Sequence, residues 1–99
     1  MLIYHIVVSD VWEMFHRDRY EAESLGTEGF IHCSFADQLD AVLKRYYSDA
    51  DTVTILTIDP TKLDSKLVVE PSTGGENYPH IYGPINIGTI ISTETRKIS

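Results

Sequence analysis

The run Thr52-Val53-Thr54-Ile55-Leu56-Thr57-Ile58 sets seven β-branched or aliphatic side chains in succession with no turn former among them. Branched side chains fit a pleated, packed surface and lose rotamer freedom in a helix, so the segment predicts a strand. A strand needs neighbours, and here they must come from within 99 residues, a length that makes one domain around one core. Residues 2–8 supply a second aliphatic, β-branched run with no turn residue, and predict a buried strand. Shorter strands are expected at 29–33 and 67–70, with a brief extended piece at 81–82. Residues 86–98 add one or two strands, the last part polar and at a sheet edge.

Helical signals are confined to the first half. Ser9 and Asp10 are good N-cap residues ahead of Val11, Trp12, Met14 and Phe15, which predicts a helix over 10–18. His16, Arg17 and Arg19 gather at its C-terminal end, where positive charge suits the helix dipole. Ser34 reads as the cap of a second helix over 36–47, with Leu39, Val42, Leu43 and Tyr46 on its core face. Residues 20–28 are less regular, with Gly26 and Gly29 bracketing a turn. Asp59-Pro60 begins a capped single turn, and 71–79 reads as a loop because it holds Pro71, Gly74, Gly75 and Pro79. Two main helices followed by closely connected strands predict an α+β fold with a largely antiparallel sheet, in a single domain over 1–99.

An apolar share of 42% suffices for a folded core, and a formal charge of −7 with eight Lys and Arg in total disfavours an extended nucleic-acid surface. Cys33 is the single cysteine, which excludes an intrachain disulfide and a four-cysteine zinc site. The first residues lack a basic region with a long apolar run, and no segment approaches the ~20 apolar residues of a spanning helix. A cytoplasmic protein without a membrane anchor is the expectation.

The stretch Glu28-Gly29-Phe30-Ile31-His32-Cys33-Ser34 brings three polar or reactive side chains together at the end of a strand, just before a helix. His5 and His80 sit in similar company, in Tyr4-His5-Ile6 and Pro79-His80-Ile81-Tyr82. His5 reads either as a buried histidine bonded to backbone or as a ligand-holding one. His32 and Ser34 share a strand face, yet neighbours two apart on a strand rarely make the contact that a nucleophile pair needs. Cys33 reads as a small buried apolar residue or a reactive thiol. His80 with Tyr78 and Tyr82 suits a ligand rim or a structured turn; Tyr20 and Ser24 are further polar candidates. Glu28 and Glu70 are the acids nearest these segments. Three histidines are also a ligand set that zinc accepts, although no paired-ligand spacing supports a metal and none is expected.

With these segments laid out, the chain resembles over nearly its whole length a small, mostly bacterial family catalogued as a domain of unknown function (number 952). The resemblance lies in Ile3-Tyr4-His5-Ile6 followed by Trp12, in Tyr20 through Glu23-Ser24-Leu25, in Glu28 through Ser34, and in Pro79-His80-Ile81-Tyr82-Gly83-Pro84. That family looks like a compact relative of the ADP-ribosyltransferase superfamily, whose split, curved antiparallel sheet cradles NAD and which includes a branch removing a 2′-phosphate from RNA. The resemblance implies that Tyr4-His5 matches the first-strand pair whose histidine meets a ribose hydroxyl of NAD. It implies nicotinamide-stacking roles for Tyr20 or Tyr82. The superfamily's catalytic glutamate has no match here, since His80 and Tyr82 occupy its motif; Glu28 or Glu70 would have to supply that charge.

Two function classes follow. The first is a small enzyme of ADP-ribosyl-transferring type, with His5, His32 and His80 as catalytic candidates and Tyr4, Tyr20, Ser34 and Tyr82 binding NAD or a related nucleotide. The second is a non-catalytic module holding a small ligand or peptide in the same pocket. A metal-dependent hydrolase is a third.

Overall fold

The computed structural model describes residues 1–15 and 18–98, without the Thr73 side chain. Among the described residues eight strands form two three-stranded antiparallel sheets and a small ribbon. The first sheet orders β1 (Ile3–Val8), β4 (Thr52–Ile58) and β8 (Ile90–Lys97), with β4 central and β8 at an edge. The second orders β3 (Ile31–His32), β6 (Asn77–Tyr82) and β5 (Lys66–Pro71), and β2 (Arg19–Tyr20) pairs with β7 (Ile85–Asn86). Three short helices join them: α1 (Ser9–Glu13), α2 (Glu23–Glu28) and α3 (Leu39–Tyr46). The α+β, antiparallel class read from the pattern is the architecture found.

The period-two alternation of β1 and β4 decides which face meets which core. Ile3, Val7, Leu56 and Ile58 face a cluster with Tyr20, Ile31, Cys33, Ile81 and Ile85, flanked by Trp12, Phe15 and Leu25. Ile6, Val53 and Ile55 face Leu43 of α3, with Tyr4, Leu39, Val42 and Tyr47 around them. The first sheet is therefore covered on both faces, which is why β4 reads as an unbroken apolar run.

The two sheets join at one point. Tyr4 N–H donates to the Ser34 carbonyl (2.8 Å) and Ser34 N–H to the Tyr4 carbonyl (2.7 Å). One residue earlier the chain still belongs to the second sheet, because Cys33 N–H donates to the Pro79 carbonyl (3.1 Å). Pro79 has no N–H to return that bond, so the β3–β6 ladder stops there. A continued β1–β3 ladder would next pair His32 with Ile6, but the strands part instead. Side chains take over the two freed carbonyls: His5 Nδ1 bonds that of His32 (2.7 Å), and the Tyr47 hydroxyl donates to that of Ile6 (3.2 Å). Ser24 Oγ does the same for Phe30 (2.8 Å).

Several expectations are corrected. The first helix ends at Glu13, not at 18; the part of that prediction resting on His16 and Arg17 lies outside the described residues. Residues 23–28 form α2, closed by Gly29 in the left-handed region (φ 89°), so the helices number three among the described residues. Ser34 does not cap the following helix. A 3₁₀ turn at Ala36–Gln38 leads into α3, and Gln38 Oε1 takes the Phe35 N–H (2.9 Å) while Ser34 is spent on the bridge. The expected loop over 71–79 is shorter, confined to 72–76: β5 runs to Pro71, and β6 begins at Asn77 and carries Pro79 at a position where its missing N–H ends a ladder.

Tyr47→Phe removes the hydroxyl that serves the Ile6 carbonyl and keeps the ring. The expected loss is about 1 kcal/mol of stability, read from the urea midpoint at unchanged slope.

Candidate cleft between the half-sheets

Where the sheets part, a cleft of about 480 Å³ opens, within the range that small-molecule sites occupy. Its first-sheet wall is Tyr4 and Ile6, and its second-sheet wall is His32, Cys33, Ser34 and Tyr78. Val42, Tyr46 and Tyr47 close it from α3, and Glu28 and Ser72 stand at its rim. The polar part of the lining is four phenol rings, two serine hydroxyls, one imidazole and one carboxylate. Among the described residues no Lys or Arg lines it.

Of the residues singled out in the sequence, Tyr4, Glu28, His32, Cys33, Ser34 and Tyr78 line this cleft, and His80 lies directly behind its wall. The three histidine segments do converge, yet their side chains divide two and one. His32 and His80 are cross-strand partners on one face of the second sheet, ring centroids 5.4 Å apart and nearly perpendicular (77°). His5 reaches the opposite side of the same strand, into the core. Tyr82 lies further along β6, exposed, and Tyr20 is buried beside His5.

The histidine environments differ sharply. His5 is 5% exposed, and both its nitrogens are engaged. A carbonyl can only accept, so Nδ1 carries the proton toward His32, and Nε2 accepts from the Tyr20 hydroxyl (3.1 Å). Burial, above all, lowers the His5 pKa from 6.5 to about 4. Tyr20 is in turn packed edge-on by Trp12 and Phe15, and burial pushes its hydroxyl up to about 12. Cys33 is buried and its thiol is raised by desolvation, which is the environment of an inert packing cysteine.

His32 is exposed and its Nε2 donates to Glu28 Oε2 (3.0 Å) across one turn's spacing. His80 is 2% exposed; its Nδ1 donates to Glu70 Oε2 (2.7 Å), which also takes the Tyr82 hydroxyl in a short bond. Those two bonds, Tyr82's first, hold the Glu70 carboxyl below the usual carboxylate range, and the same bond raises the Tyr82 phenol. Phe30 stacks on His80 (4.1 Å, 19°) and touches both His32 and Tyr82. Tyr46, Tyr47 and Phe30 were missed as site candidates: their spacing signals core or turn, and only the tertiary arrangement turns them toward the cleft or the imidazoles. Among the described residues no group of three or more His, Cys, Asp or Glu side chains is placed to hold a metal ion. None of the helices among those residues is long and apolar enough to cross a membrane.

The family model described as Protein of unknown function (DUF952) matches residues 6–93, and the chain belongs to that family. The fold is similar to the crystal structure of protein CC0527 from Caulobacter crescentus, at a TM-score of 0.85 and 25% identity over 96% of this chain and 85% of that one. It is also similar to the solution NMR structure of CC0527, with a TM-score of 0.79 and 25% identity over 94% and 82%. No curated protein matches.

The His5 environment fixes a pH dependence. The unfolded chain takes up this proton near pH 6.5 and the folded chain only near pH 4, so between these values the unfolded state holds more protons. Stability therefore rises with pH through that window and its His5 share is complete above it. Acidifying from pH 7 to 4 is expected to remove about 3 kcal/mol through this group. Urea titrations at several pH values check it: the slope across the window should flatten in His5→Gln.

Proposed function

We propose that the cleft binds the nicotinamide-riboside part of NAD or a ligand of the same chemistry, a flat cationic ring carrying a hydroxylated sugar. One observation carries this reading: the lining combines four tyrosine rings with the Glu28 carboxylate and, among the described residues, no cation. Aromatic faces and a carboxylate attract a cationic ring, while the Ser34 hydroxyl and the His32 imidazole suit sugar hydroxyls. Among the described residues no Lys or Arg lines the cleft, and Arg45 stands outside it against the Tyr46 ring (5.9 Å), so the diphosphate of a dinucleotide would lie outside the cleft.

The same site suits cleavage of the bond between ring and sugar. That step leaves positive charge on the sugar, and a preformed carboxylate beside it lowers the barrier. Glu28, steadied by His32, is the acid at the cleft. Glu70 is held ionised one strand further away. In this reading His5 and Tyr20 act as positioning residues: they fix the β3 backbone that carries His32 and Ser34. Tyr82 acts through Glu70.

Titrating NAD, nicotinamide riboside and ADP-ribose against isotope-labelled protein tests the proposal. NAD and nicotinamide riboside should move the resonances of Tyr4, Ser34 and Tyr78, and ADP-ribose, which lacks the cationic ring, should move them less. Tyr78→Ala should weaken binding roughly tenfold, about 1.4 kcal/mol. Release of nicotinamide on incubation with NAD identifies an enzyme; binding without release identifies a module. Unmoved cleft resonances at millimolar ligand end the reading.

A further inference from the structure

Among the described residues, His80 Nε2 is the one buried side-chain nitrogen or oxygen with no hydrogen-bond partner. The Glu70 carboxylate accepts at Nδ1, which places the proton there and leaves Nε2 as a bare lone pair. A buried polar atom left unpaired costs stability, and a natural domain that keeps one does so for a reason outside packing. The position of the ring supplies that reason. His80 lies between two residues that line the cleft on the same sheet face: His32, its cross-strand partner, and Tyr78, two residues back on β6. Phe30 holds the ring by stacking, and Glu70, with Tyr82 behind it, fixes the tautomer. On that face the His32 ring lies 5.4 Å from the His80 ring; its side chain is about half exposed, and turning it aside breaks its bond to Glu28 and its edge contact with Phe30.

We infer that His80, behind the cleft wall, is its specificity-determining hydrogen-bond acceptor: its Nε2 receives an O–H or N–H donor from a ligand as the His32 ring turns aside while remaining in the cleft. This rests on the cleft being the ligand site. Charge alone selects a cationic ring but does not distinguish a sugar from its deoxy form. A buried acceptor does, because a ligand lacking the donor leaves it unpaired in the complex.

The test compares nicotinamide riboside with its 2′-deoxy and 3′-deoxy analogues and with nicotinic acid riboside, which lacks the amide N–H. One of these should bind roughly 10- to 100-fold more weakly than nicotinamide riboside. In His80→Phe, which keeps the stack on Phe30, that discrimination should fall below about threefold. A second measurement needs no variant: in long-range imidazole nitrogen spectra of the wild-type protein, the His80 Nε2 signal should shift on saturation with nicotinamide riboside. If Tyr4, Ser34 and Tyr78 respond while His80 Nε2 does not, or all four probes bind alike, the inference is overturned and the cleft reading stands. If no cleft resonance responds, the cleft reading falls and this inference with it.

Discussion

The two hydrogen bonds exchanged by Tyr4 and Ser34 are the sole ladder joining the half-sheets among the described residues, and the cleft follows from their being alone. An antiparallel sheet that continued through β1 and β3 would bury Ile6 and His32 in each other's backbone. It does not continue: β3 pairs with β6 as far as Pro79 and meets β1 at Ser34 alone. That proline accepts from Cys33 and cannot donate back. Each parted backbone carbonyl would cost about 1–3 kcal/mol if it were buried and left bare. His5 and Tyr47 remove that cost from the two sides of the split. The opening is thus a stable feature, held by an imidazole below and a phenol beside it.

This arrangement makes the charge of the site independent of the charge of the chain. A net charge of −7 would repel any anion from the surface at large. Within the cleft the preference is sharper, since the carboxylate at its rim is held in place by His32 and the walls are phenol rings. The second carboxylate, Glu70, sits below its usual range chiefly because it takes two donors, Tyr82 and His80, with Lys66 adding a smaller pull. Each acid is paired to a histidine, and the two histidines are cross-strand neighbours. The second sheet thereby presents a fixed row of acid, imidazole, imidazole, acid.

Local pattern made part of this legible. β1 and β4 were plain in the sequence because strands covered on both faces have no polar alternation to obscure them. So was α3, whose apolar residues fall three and four apart. The failures share a physical cause: each residue had a local use and was claimed by a distant one. Ser34 is an ordinary cap residue, but its backbone is spent on Tyr4. Pro79 reads as a loop former and in fact sits inside a central strand, at the one place where a missing N–H is harmless. α2 contains Ser24, Gly26 and Thr27, poor helix formers all, and is held by Gly29 and by Ser24 reaching the Phe30 carbonyl. The stretch from Glu28 to Ser34 was recognisable as a site because reactive side chains end a strand there. Which of its side chains face the cleft required knowing where the partner strands stop.

His5 and His80 show why residue type and burial together still do not identify a functional group. Both imidazoles are nearly inaccessible, and both donate from Nδ1 to a fixed oxygen. At His5 the second nitrogen is answered by Tyr20, so the ring is complete and its low pKa expresses burial above all. At His80 the second nitrogen is unanswered. Packing does not ask for an imidazole at that position, since a phenyl ring would stack on Phe30 as well and bury no bare lone pair. Binding Glu70 does not ask for it either, because the Tyr82 hydroxyl already reaches the same oxygen. What only an imidazole supplies is an acceptor held in one tautomer behind the cleft wall, and that property has no use within the folded chain itself.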